Sequence, residues 1–249
     1  MLDREIEDLG FLPCVETLPQ GSYAQVGLAV DHRTGGYVIC KLCNTETAAG
    51  QQRSWLAMAK ARGLRCVPKS LPAEGRWVVY QHARGSTLLQ MAECQASDEQ
   101  VTLAALASAA ALFELAFHGM THGDMHPGNV VIDRSSAMLI DPGGPEAQAS
   151  AALDDADGLI NAFCMAGFMS HHAARDCGVR IPAQHHAHLT PRNIRGVCDV
   201  FAAVGPMLRQ ASRAARRVVA ARQAPGSGPV VENLTTIIAR WPASGLLTC

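Results

Sequence analysis

The 249-residue chain lacks an excess of either charge: 21 basic residues face 22 acidic ones, for a net charge of -1. That balance gives no polyanion-binding or membrane-hugging surface, so nucleic acid is not an expected partner. No second C-x-x-C pair accompanies Cys40 and Cys43, and the nine cysteines are otherwise scattered, which excludes a zinc-finger spacing. An odd set of cysteines in apolar surroundings reads as buried, reduced thiols of a cytosolic protein rather than a disulfide framework. Nothing at the start resembles a cleavable signal peptide. No apolar run reaches about 18 uncharged residues, the Ala-rich stretch 103–113 being too short, so no membrane span is expected. Internal repeats and long low-complexity tracts are also absent. The histidines at 171, 172, 185, 186 and 188 lack the carboxylate or cysteine companions of a metal site, which leaves them surface or packing roles.

What is present is a core: 48% of residues are hydrophobic, as in a globular protein. Residues 11–43 read as three strands, LPCVETLP, YAQVGLAVD and YVICKL, the last two joined by the turn HRTGG. Helix formers then take over between Thr45 and Arg62, with Thr45 or Thr47 as cap. RWVVYQHA (76–83) is a short apolar strand ended by RGST. Residues 98–118 form a helix with an acidic first turn and apolar residues almost all round, as expected of a central buried helix. Further helices are expected within 150–169, 190–223 and 230–241.

Between the central helix and those that follow lies THGDMHPGNVVIDRSSAMLIDPGG, residues 121–144. His122, Asp124 and Asn129 have the spacing H-x-D-x-x-x-x-N, and Asp141 follows at the end of the apolar run AMLID. Upstream, LPQGSYAQV (18–26) keeps a central glycine, an aromatic and a valine, and Lys41 ends the strand YVICK twenty residues after Gly21. In this order and at these intervals the motifs resemble the catalytic loop, metal loop, glycine-rich loop and strand lysine of the protein-kinase-like superfamily. HGDMHPGN is closest to the version found in aminoglycoside and choline phosphotransferases. The resemblance covers residues 11 to about 165.

It implies an α+β, bilobal fold: an N-lobe (1–83) built of a small antiparallel sheet with one helix, and a reduced, mostly helical C-lobe (84–249). It also implies ATP as substrate and Mg2+ as cofactor. Asp124 would accept or orient the attacking hydroxyl, with His122 and Lys41 completing the catalytic set, and Lys41 would meet the α- and β-phosphates. Asn129 and Asp141 would hold metal. Gly21, Ser22, Tyr23 and Val26 would cover the nucleotide, Tyr80 would stand at the gatekeeper position, and Gln81 to Ala83 would offer backbone groups to adenine. Asp155 or Asp157 would accept backbone bonds from the catalytic loop.

Three departures qualify this. Proline replaces phenylalanine after Asp141, and Pro142 should push Asp141 toward an extended conformation and stiffen the loop. The helix after Lys41 has no acid except Glu46, so either Glu46 reaches Lys41 or Gln51 or Gln52 makes a neutral contact. Only about a dozen residues separate Asp141 from Asp154 and no A-P-E follows, which removes an activation segment of regulated length.

The leading expectation is a minimal bacterial serine/threonine-type protein kinase, monomeric, cytoplasmic or delivered into a host cell as an effector, with a protein as acceptor. The alternatives are a small-molecule hydroxyl kinase, favoured by His126 and HGDMHPGN, and a pseudokinase or nucleotidyl-transferring enzyme. Scarcity of acids after Asp157 speaks against a cationic acceptor.

Overall fold

Successive residues of a strand point to opposite faces, and in YVICKLC that alternation decides two layers at once. Ile39 and Cys43 enter the main core, while Val38 and Cys40 enter a smaller one on the far side. Lys41 shares the face of Ile39 and Cys43. The computed structural model describes residues 2–17, 24–143, 154–179 and 191–223. Within these, β1 (Phe11–Thr17), β2 (Ala24–Asp31), β3 (Tyr37–Cys43), β4 (Ser70–Leu71) and β5 (Trp77–Gln81) form one antiparallel sheet in the order β1-β2-β3-β5-β4. Four of these strands match the sequence expectation, and the β2–β3 turn is fixed by Asp31, whose carboxylate accepts the Arg33 N–H and the Thr34 hydroxyl.

The far face of the sheet is covered by a helix the sequence did not announce, α1 (Leu2–Asp8). Ile6 is fully buried there with Phe11, Ala29, Val38, Cys40 and Val79. Gly27 makes this possible: a Cβ on it would lie 2.6 Å from the Ile6 Cδ1.

On the near face, α2 (Glu46–Ala61) begins at Thr45, whose hydroxyl accepts the Ala48 N–H. Arg53 on this helix donates to the carbonyls of Gly75 and Trp77, fastening it to the start of β5. A second sheet starts after Gly85, where β6 (Ser86–Thr87) pairs with β7 (Val130–Asp133), and β7 with β8 (Ser136–Leu139). Gly85 sits at φ +111, and a Cβ there would lie 2.0 Å from the Ile132 carbonyl oxygen, so only glycine fits.

The helical part comprises α3 (Leu88–Glu93), α4 (Asp98–Phe117), α5 (Asp155–Met165), α6 (His171–Asp176) and α7 (Arg195–Gln223). Both α3 and α4 start with complete capping boxes, Thr87 with Gln90 and Ser97 with Gln100. α4 ends where Gly119 turns left-handed, its N–H donating to the Ala116 carbonyl. Small residues let α7 lie close along α4: Ala211 and Ala215 pack on Ala116, and Gly196 fits against the Thr102 side chain. Among the described helices α4 alone is long and apolar enough to cross a membrane, and 56% of its most apolar 18-residue stretch is buried, as in the core helix of this lobe. The helix expected over 230–241 lies outside the described residues.

One continuous core, from Ile39, Trp55 and Tyr80 through Leu112 and Leu139 to Phe163 and Phe201, joins the sheet to the helices. The architecture is thus α+β and bilobal, a five-stranded antiparallel sheet over a mostly helical lobe, as the kinase-like motifs imply.

Candidate functional site

Lys41 lies on the core-facing side of β3, and a lysine buried there to 8% exposure demands a counter-charge. It finds one a hundred residues away: Lys41 Nζ is 2.9 Å from Asp141 Oδ1. Across the sheet, Val26 pairs with Lys41 on one side and Val78 on the other. Tyr80, opposite Ile39 and 4% exposed, points its hydroxyl to the same Asp141 Oδ1 at 3.2 Å. Burial, and then the Asp141 carboxylate, push the Tyr80 phenol well above its ordinary value, so it remains a donor.

The stretch 121–129 is fastened from three sides. Asp155, the first residue of α5, accepts the N–H groups of His122 (2.7 Å) and Gly123 (2.8 Å) through its two oxygens. Of the two acids offered by the sequence it is therefore Asp155, not Asp157, that serves the loop. Burial pushes the Asp155 carboxyl up, with His122 and the two N–H bonds opposing. From α2, Trp55 donates its indole N–H to the Thr121 carbonyl at 2.9 Å and meets the His122 ring edge-on. His122 itself is fully buried. Its Nδ1 accepts the Asp124 N–H, which places the proton on Nε2, bonded to the Ile140 carbonyl at 2.8 Å. His122 is thus a strut between the two loops, and the Gly143 N–H returns to its carbonyl.

Asp124 emerges exposed from this frame. Asn129 follows on a 3-10 turn (Pro127–Asn129) and donates Nδ2 to the Asp124 carbonyl (3.0 Å) and to Asp124 Oδ2 (3.2 Å). Both amide protons being committed, the Asn129 side-chain oxygen is left as an acceptor. Asp141 Oδ2 likewise accepts no hydrogen bond among the described residues, since Lys41 and Tyr80 both take Oδ1.

Two hard oxygens, one amide and one carboxylate, suit Mg2+, which takes few protein ligands and completes its shell with water and phosphate. The described residues contain no cluster of three or more His, Cys, Asp or Glu able to hold a metal by themselves.

Three expectations change. Glu46 is exposed on the first turn of α2 and forms no ion pair with Lys41, because it precedes the turns of the helix that face the site. Gln52 faces it instead, yet donates to the Pro142 carbonyl at 3.4 Å rather than meeting Lys41. Asp141 is not extended: it sits at φ +52, in the left-handed region, despite the proline that follows. At the end of β5 the Gln81 N–H is taken by the Lys69 carbonyl and the His82 N–H by that of Tyr37. Of the backbone N–H groups at Gln81 to Ala83, only that of Ala83 has no acceptor among the described residues. Gly21, Ser22 and Tyr23 lie outside the described residues.

The Tyr80 hydroxyl, the Trp55 anchor and the His122 strut were not foreseen, and no spacing rule could have revealed them. Each is a contact between segments far apart in the chain.

No family model matches the chain, and no curated protein matches it. Among solved structures, 1556 chains match. One is a crystal structure of the PF14_0431 kinase domain, 14% identical with a TM-score of 0.48 over 63% of each chain, so this chain spans less than two thirds of that domain.

Proposed function

We propose that the chain is a phosphotransferase that moves the γ-phosphoryl group of ATP to a hydroxyl. The observation that carries this reading is the pairing of Lys41 with Asp141 at 2.9 Å, beside a loop whose exposed Asp124 accepts a hydrogen bond from Asn129. A buried ammonium that can exchange one carboxylate oxygen for phosphate oxygens is a ready-made phosphate site. Asp124 orients the acceptor hydroxyl and takes its proton, and Asn129 holds Asp124 in place while presenting its own oxygen. Mg2+, held by Asn129 and Asp141, would neutralise charge on the phosphates. The chain's own contribution is positioning and fixed charge, which is most of what phosphoryl transfer requires.

For the acceptor we propose a protein hydroxyl, the chain acting as a minimal serine/threonine-type kinase delivered into, or working inside, a cell. Cationic small molecules are disfavoured because the described residues beyond Asp157 include only two acids, Asp176 and Asp199. One observation favours a neutral small hydroxylated acceptor as the second reading. The exposed His126 ring accepts the Gly128 N–H at 3.1 Å, which leaves its other nitrogen a protonated donor on the same loop as Asp124.

The experiment is incubation with γ-labelled or α-labelled ATP, Mg2+ and a cell lysate, beside Asp124→Ala and Asp141→Ala. Protein-bound label from the γ position, lost in both variants, supports the reading. Label from the α position alone would overturn phosphoryl transfer in favour of nucleotidyl transfer. Nucleotide binding without any transfer to protein or small molecules would make the chain a pseudokinase.

A further inference from the structure

Asp141 occupies a position that should not hold still. A non-glycine residue at φ +52 is strained, and the following Pro142 removes an N–H that could have anchored the turn. The backbone around it is clamped: Ile140 N–H to the Asn129 carbonyl at 3.0 Å, His122 Nε2 to the Ile140 carbonyl, Gly143 N–H to the His122 carbonyl, and Gln52 to the Pro142 carbonyl. None of these touches the carboxylate. Its only partners among the described residues are Lys41 and Tyr80, both on Oδ1.

These two differ in kind. Lys41 is a long, flexible cation that phosphates would draw away, and among the described residues Asp141 is its one ion-pair partner, Glu46 of α2 not reaching it. Tyr80 is a buried phenol whose ring is fixed in the main core. Among the described residues its hydroxyl has Asp141 alone as a partner, and leaving it unpaired would be costly.

We propose that Tyr80 is the positioning residue for Asp141: its hydroxyl holds Oδ1 so that Oδ2 stays turned outward to a divalent cation, including when Lys41 has turned to the phosphates. This rests on the reading of Asp141 as a metal ligand. It assigns the gatekeeper side chain a role beyond lining the adenine pocket, and it supplies the restraint that neither an acid on α2 nor an aromatic at 142 provides.

The test is Mn2+ binding measured by electron paramagnetic resonance, with a non-hydrolysable ATP analogue present, on the wild type, Tyr80→Phe and Tyr80→Met. Loss of a hydrogen bond to a charged group should weaken Mn2+ binding about tenfold in both variants, measured with the nucleotide analogue at saturation for each variant. In turnover the apparent KM for Mg2+ should rise with a smaller change in kcat. Tyr80→Phe keeps the ring that fills the core, and Tyr80→Met supplies a second donor-free side chain should the first fold poorly. Mn2+ affinity unchanged or tighter in the donor-free variants would overturn the role of Tyr80 and leave phosphotransfer standing. Failure of the wild type to bind Mn2+ with nucleotide would overturn both.

Discussion

Asp155 shows how much a single buried carboxylate can govern. It replaces water for two N–H groups of the 121–129 loop, at 2.7 and 2.8 Å, and is 8% exposed. Asp155→Asn puts an amide where one of those N–H groups needs an acceptor, which should cost about 2 kcal/mol in urea denaturation and lower turnover with it. The sequence narrowed this role to two acids but could not choose, because Asp155 and Asp157 are equivalent in composition and only helix phase aims one at the loop. Burial pushes the thiols of Cys40 and Cys164 up to about 12 and raises Cys66 as well, whereas Cys94 is exposed. Alkylation at pH 8 followed by mass spectrometry should therefore modify Cys94 in the native protein and reach Cys40, Cys66 and Cys164 only after denaturation. The expectation of buried thiols was legible because the residues around these cysteines are apolar in sequence.

Helices and strands were the most legible level, and the reason is periodicity. The start of α4 combines a capping box at Ser97 with acids in its first turn, all local to the chain. Ser97→Ala should lower stability by about 1 kcal/mol, read as a fall in Tm, without changing the 121–129 loop. Connections behave differently. Gly85 has no side chain to betray its purpose, yet it is where the first sheet hands over to the second and the β7 carbonyl passes at van der Waals limit. Gly85→Ala should cost about 3 kcal/mol or more, or prevent soluble expression, as measured by thermal melting of whatever folds. α1 went unread for a related reason. Leu2, Ile6 and Leu9 do repeat at helical intervals, but a seven-residue helix is not stable by itself. It exists because Gly27 leaves a hollow for Ile6 on a sheet face that needs covering.

Across the whole molecule, electrostatics couples the lobes and the helices that brace the site. Asp157 on α5 faces Arg209 on α7 at 3.7 Å, too far for a good hydrogen bond, and burial raises its carboxyl to about 6, Asp154 adding to the shift and Arg209 opposing it. Its folded-state value exceeds the ordinary 3.8, so the native protein holds this proton longer than the unfolded chain does. The contribution is therefore complete below the ordinary value and is lost as pH rises through about 6. Asp157→Asn should flatten that part of the curve and be the more stable protein above that range, by about 1 kcal/mol, with Tm measured between pH 4 and 8. The same scale separates what the chain announces from what the fold decides. The order of elements, the lysine strand and the H-x-D-x-x-x-x-N to Asp141 spacing are legible along the chain, because local periodicity and fixed intervals are properties of neighbouring residues. The sequence could not determine what Lys41 pairs with. Lys41, Tyr80 and Asp141 are separated by up to a hundred residues, and only strand register and the core that joins the lobes bring an ammonium and a phenol onto one carboxylate oxygen.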